Sequence, residues 1–198
     1  MRYLNDYQIA DFSPLLTSSW LGKHIYIHET LDSTQAEARR LANEGAGHGT
    51  VVLAREQMQG RGRLGRSWLS SVDKGVWLTV ILRPRLTIEH LPQITLLTGL
   101  AIREVLSNLY GINPLIKWPN DIYIEGRKLA GILTEALSNP EGIDCLLVGI
   151  GINTDLDQQA YELANKRIAL AELVGQPPAK LTLITNLLNK LAEYFDSY

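Results

Sequence analysis

The sequence predicts an α+β domain, and three observations carry that reading. β-Branched and aromatic residues gather in strand-like runs at 24–28, 50–54, 75–82 and 143–151. Two longer stretches, 92–110 and 180–195, place their apolar residues at helical spacing. Glycine, proline, asparagine and aspartate punctuate the intervals between these segments.

With 198 residues the chain can bury a sizeable core, as one large domain or two small ones. Its 45% apolar and 20% charged content is that of an ordinary globular protein, and a formal net charge of −2 argues against a general polyanion binder. A single cysteine, Cys145, forbids an internal disulfide and lies in the apolar run 143–150, where a buried thiol is expected. The N-terminus lacks a charged-then-apolar signal pattern and no run is long enough to span a bilayer, so a cytoplasmic protein with no membrane partner is expected. His24, His28, His48 and His90 follow no metal-binding spacing, and there is no G-x-S-x-G elbow.

Taken in order, residues 1–22 read as a peripheral lead-in and 24–28 as a first strand. A helix follows, with Thr34 and Glu37 at capping-box spacing and Gly45 at its stop. Ser33 and Thr34 can simply cap that helix; its free N–H groups and positive potential can equally serve a ligand. The strand 50–54 delivers Gln57, and 75–82 is the third strand. Pro92 opens the helix that ends near Tyr110, with Ile94, Leu97, Ala101, Val105 and Leu109 on one core-facing stripe. A short strand then runs into Lys117-Trp118-Pro119-Asn120-Asp121, where Pro119 marks a bend between strands. Asn120 and Asp121 are ordinary turn residues, but Lys117 and Trp118 beside them are not, which favours a functional stretch. After the tight turn Glu125-Gly126-Arg127, Lys128 starts a strand, where its ammonium could hold a carboxylate or merely end a hairpin in water. The strand 143–151 ends in Gly149-Ile150-Gly151-Ile152-Asn153; those glycines would admit a ligand or mark a bulge, with Asn153 as a hydrogen-bonding partner. Helices at 168–174 and 180–195 follow.

The stretch that no packed core explains is Gly60-Arg61-Gly62-Arg63-Leu64-Gly65-Arg66-Ser67-Trp68. Its glycines let the backbone approach a ligand, and its arginines bring donor forks suited to carboxylate or phosphate. The chemical reading is a mobile loop that closes on a small anion; a solvated basic loop or a nucleic-acid patch is the plainer alternative. The stretch also satisfies G-x-G-x-x-G, yet a loop and a strand follow where a dinucleotide site needs a helix. Kinase and Walker A companions are missing as well.

Five motifs in this order and spacing resemble the catalytic domain of biotin protein ligases. They are Ser33-Thr34, Gln57 with the 60–68 loop, Lys117 to Asp121, Arg127 to Leu133, and Gly149 to Asn153. The resemblance spans residues 24–195 and implies a single domain over 1–198. It also implies a mixed β-sheet flanked by helices, of the kind shared with class II aminoacyl-tRNA synthetases and lipoate ligases. The implied activity has two steps. Biotin and MgATP give biotinyl-5'-AMP and pyrophosphate, and a lysine of a biotin carboxyl carrier protein then takes the biotin. By the family pattern Ser33, Thr34, Gln57, Gly60, Arg61, Gly62, Arg63 and Lys128 would bind biotin. Arg63, Arg66, Trp68, Lys117, Asn120, Asp121 and Asn153 would bind ATP or the adenylate. Lys128, Arg63 and Asp121 would be catalytic, with magnesium brought by ATP near Asp121 and no protein metal cage.

The resemblance departs from the family's usual pattern at both ends. Too few residues precede His24 for the winged helix of bifunctional members, so no DNA binding is expected, and no small barrel follows the last helix. A homodimer is compatible with the resemblance. A lipoate or octanoate ligase and a non-catalytic biotin-binding module are the alternatives; a loop that binds RNA fits poorly with the charge of −2.

Overall fold

The computed structural model describes residues 8–84, 86–139, 142–155 and 166–198. Seven strands form one sheet: β1 (Ile25–Leu31), β2 (Thr50–Gln57), β3 (Gly75–Leu82), β4 (Leu115–Lys117), β5 (Asp121–Ile124), β6 (Arg127–Asn139) and β7 (Gly142–Asn153). Their order is β1-β2-β3-β7-β6-β5-β4, with β1 and β2 parallel and every other pair antiparallel. The helices are α1 (Ile9–Phe12), α2 (Thr34–Asn43), α3 (Leu91–Tyr110), α4 (Leu170–Val174) and α5 (Lys180–Asp196). The sheet is therefore mixed and carries helices, as the resemblance implies.

Strand β3 explains the architecture. Its eight residues are all buried, so an unbroken apolar run replaces the alternation of a half-exposed strand. Val76, Leu78, Val80 and Leu82 join a large core with Ile102 and Leu106 of α3 and Leu183 and Leu187 of α5. Ile81 belongs to a second, smaller cluster, with Val52, Cys145 and Leu147 under Ala38 and Leu41 of α2. One face of the sheet is thus given to packing. The other has room for a site.

Several boundaries differ from the sequence reading: most strands run longer, while α4 starts at Leu170 rather than 168. β1 continues to Leu31, β2 to Gln57 and β7 to Asn153, because ladder pairing with neighbours extends past the apolar runs. The cap of α2 is Ser33, whose Oγ accepts from the Gln35 N–H at 3.2 Å, while Glu37 pairs with Arg40 rather than closing a capping box.

The lead-in is not peripheral where it is described. Phe12 and Leu21 are completely buried in the large core, and Asn189 of α5 bonds both the Thr17 N–H and the Leu15 carbonyl at 2.9 Å. Its aromatic and aliphatic side chains complete the packing around α5; residues 1–7 lie outside the described residues. Among the described residues, no helix is long and apolar enough to cross a membrane.

Candidate functional site

The cleft lies on the face covered by α2. Its floor is a row of glycines that strand pairing brings together: Gly131 of β6 sits opposite Gly151 of β7, and Gly149 is two residues along. None of these positions could carry a side chain without displacing a neighbour. A Cβ at 131 or 151 would come within 2.8 or 2.7 Å of the Trp68 ring, and one at 149 within 2.7 Å of Gln35 Oε1.

The wall toward α2 is a directional hydrogen-bond chain. Gln57 Oε1 accepts from the Thr34 N–H at 2.8 Å and from the Thr34 hydroxyl at 3.1 Å. Gln57 Nε2 donates to Ser70 Oγ at 2.7 Å, and Ser70 donates to the Trp68 carbonyl. The buried Thr79 hydroxyl reaches both Thr34 Oγ1 at 2.9 Å and Gln35 Oε1 at 3.1 Å. These directions leave specific capacities toward the cleft. Thr34 keeps an oxygen lone pair, Gln57 keeps one amide N–H, and the buried Ser33 hydroxyl keeps its proton.

The residues 60–68 form a hairpin-like flap. Gly62 N–H donates to the Arg66 carbonyl at 2.7 Å and Trp68 N–H to the Gly60 carbonyl at 2.8 Å; Arg61 bridges Ser67. Gly60 is glycine of necessity, since a Cβ there would lie 2.3 Å from the Trp68 carbonyl oxygen. At the tip Leu64 has φ 57° and is 86% exposed, followed by Gly65 at φ 71°. Arg61 and Arg63 line the cleft, and Arg63 Nη1 donates to Asn120 Oδ1 at 3.1 Å.

Asn120 does more than serve its turn. Its Nδ2 donates to the Ile132 carbonyl at 2.8 Å and its own carbonyl accepts the Ile132 N–H, so the carboxamide is fastened to β6 while it holds Arg63. Lys128 is not a free hairpin lysine either. Its ammonium lies 2.6 Å from Asp121 Oδ1 and 4.7 Å from the Trp68 ring centre, with both ionic partners about three-quarters buried. Trp68 lies over Gly131 and Gly151, edge-on to Trp77, with Arg167 5.7 Å from its ring.

Not every expected residue converges. Lys117 is exposed and stacks on Tyr123 at 4.5 Å, and the exposed Arg66 side chain also stays outside the cleft lining. Asn153 spends its amide on the Lys128 and Ile168 carbonyls, at 3.3 and 3.2 Å, tying the segment after β7 to β6. The sequence reading missed Gln35, Ser70, Thr79 and Arg167. Thr79 alone had a local signal, as a lone hydroxyl in an apolar strand.

On an α+β fold, a glycine-floored cleft with polar walls, lined by Lys128 and by arginines of the 60–68 flap, has the charge and shape to receive a small anion. The comparisons narrow this class. Residues 27–153 match the model of the Biotin/lipoate A/B protein ligase family, and the chain belongs to that family. It is 38% identical over 175 residues to the bifunctional ligase/repressor BirA of Bacillus subtilis, covering 87% of this chain and 54% of that protein. To the biotin–[acetyl-CoA-carboxylase] ligase of Paracoccus denitrificans it is 40% identical over 124 residues, 62% of this chain and 51% of that one. The chain thus spans about half the length of these curated relatives. Among solved structures it resembles the biotin protein ligase of Aquifex aeolicus in complex with biotin and ATP. That likeness has a TM-score of 0.78 at 34% identity, covering 88% of this chain and 71% of that one.

Proposed function

We propose that this chain is a biotin protein ligase catalytic unit: it joins biotin to AMP and then passes biotin to a carrier lysine. The observation that carries the reading is the polarity of the cleft wall. A cyclic urea offers two N–H donors and a carbonyl acceptor, and the wall presents a Thr34 lone pair with Ser33 O–H and Gln57 N–H donors. An acyl chain, the ligand of the lipoate branch of the family, would leave these buried groups without partners, which is costly.

In the first step a biotin carboxylate oxygen forms a bond to the α-phosphorus of ATP, and the bond to pyrophosphate breaks. Carboxylate and triphosphate repel one another, so their approach needs fixed cations. Lys128 and Arg63 supply them at the cleft, each already oriented, by Asp121 and by Asn120. In the second step the neutral carrier amine attacks the acyl carbonyl and AMP leaves. Magnesium, on this reading, enters with the ATP phosphates and offsets their charge. On the same reading Asp121, whose carboxylate already pairs with Lys128 at 2.6 Å, would be the acidic side chain beside that ion. The similarity to the Paracoccus denitrificans and Aquifex aeolicus ligases, both named for biotin, supports the same assignment.

The test is biotin-dependent release of pyrophosphate from ATP, followed by addition of a biotin carboxyl carrier domain and detection of biotinylated lysine. Release and transfer are the expected result. Biotin binding without turnover would mean a binding module, and activity with octanoate or lipoate in place of biotin would move the chain to the lipoate branch.

A further inference from the structure

Gln35 lines the cleft beside Thr34 but belongs to none of the motifs, and its side-chain amide is held on both ends. It is 3% exposed. Its Nε2 faces three acceptors: the Leu147 carbonyl at 3.2 Å, the Leu133 carbonyl at 3.4 Å and Glu135 Oε2 at 3.1 Å. Turning the amide over would set Oε1 against all three oxygens, so the orientation is fixed. Glu135 is itself held by Arg39 Nη2, 3.0 Å from the same carboxylate oxygen.

The fixed amide leaves Oε1 over Gly149, where a Cβ would come within 2.7 Å. Among the described residues the one donor it meets is the Thr79 hydroxyl, whose single proton is shared with Thr34 Oγ1 at a shorter distance, 2.9 against 3.1 Å. A buried carbonyl oxygen with two lone pairs and half a hydrogen bond is an acceptor in need of a donor.

We infer that Gln35 is a specificity-determining residue of this cleft, its Oε1 receiving an N–H of a cyclic urea, with Glu135 as the positioning residue that keeps the amide turned that way. The inference rests on the biotin reading above and adds to it a residue outside the family motifs. It makes the second N–H of the urea a requirement: Thr34 serves one, Gln35 the other. A ligand with a ring oxygen or methylene at that position leaves Oε1 buried and unanswered.

The experiment is calorimetric titration of biotin, and of two cyclic carbamate analogues in which each urea N–H in turn is replaced by a ring oxygen. Wild-type protein is compared with Gln35→Met and Glu135→Ala. Wild-type protein should bind one carbamate about tenfold more weakly than biotin, the scale of one hydrogen bond to a buried acceptor. In Gln35→Met, biotin should weaken by a similar factor and the difference between biotin and that carbamate should vanish. Glu135 is half-buried, so Glu135→Ala folds more readily than a core change; it should narrow the same difference about threefold, as expected when one of several orienting bonds is lost. A Gln35→Met protein that binds all three ligands more weakly but keeps the wild-type ratio would make Gln35 a structural tie between α2 and the sheet, and the inference fails. Wild-type protein that binds biotin and both carbamates equally also overturns it while leaving the biotin reading intact. Wild-type protein that binds no biotin removes that reading itself.

Discussion

Lys128 carries two contacts that pull in different directions, and its chemistry follows from them. The Asp121 carboxylate at 2.6 Å aims the ammonium, while the Trp68 face at 4.7 Å shields one side of it from water. A ligand carboxylate approaching from the cleft meets a cation that is already desolvated and oriented. On the proposed ligase reading, Lys128→Ala is therefore expected to lower biotin-dependent pyrophosphate release by about tenfold or more, through loss of a charge-assisted contact to the reacting group. Near-normal release by that variant, measured at saturating biotin and ATP, would remove Lys128 from the chemistry. The variant's melting temperature separates the two effects, since it also leaves Asp121 without its counter-ion. The sequence singled out both Lys128 and Asp121; their pairing was not legible there. Asp121 and Lys128 meet because β5 and β6 form a hairpin whose register shifts at Ile122 and Tyr123, and no local pattern encodes that shift. Gln35, Ser70 and Arg167 were hidden for the same reason, because their meaning arises from strands distant in sequence.

At the level of elements, the 60–68 flap and the glycine floor depend on one another. The flap closes on itself through Gly60, Gly62, Arg66 and Trp68, and Trp68 then seats on Gly131 and Gly151. Gly151→Ala introduces a methyl 2.7 Å from the indole, so the ring must lift. Alanine suits a strand backbone better than glycine does, and global stability should therefore hardly change. The expected outcome is faster tryptic cleavage at Arg61, Arg63 and Arg66, with an unchanged melting temperature; equal cleavage rates would show that the flap does not need its seat. The flap's glycines and arginines announced a ligand loop from sequence, and β3 and α3 were legible almost to the residue because their apolar periods are long. The segment 8–22 was not, for the opposite reason. Phe12 and Leu21 are core residues in a stretch with no period to reveal them.

Across the whole molecule, the sheet separates stability from function, and one ionic cluster ties its layers together. The large core on the α3 and α5 face supplies most of the buried apolar surface, while the α2 face holds the cleft. Asp73, at the turn into β3, joins them: it bonds Arg55 of β2 and accepts from Lys180 at the start of α5, at 2.7 Å through its carbonyl and 3.2 Å through its carboxylate. Burial alone would raise its carboxyl; the Arg55 and Lys180 contacts more than offset that and hold it below the usual range. A depressed folded value fixes the sign: the stabilisation is complete above the unfolded carboxylate value of about 4 and is lost as pH falls through the folded one. Asp73→Asn is the informative variant, because asparagine tolerates the positive φ of 58° and keeps the shape of the side chain. Its deficit in urea midpoint relative to wild type should be largest at neutral pH and shrink progressively below pH of about 4, once the wild-type carboxyl is protonated too. A deficit that stays constant with pH would mean that the cluster holds the layers by shape and hydrogen bonding rather than by charge, and that acid loosens the fold elsewhere.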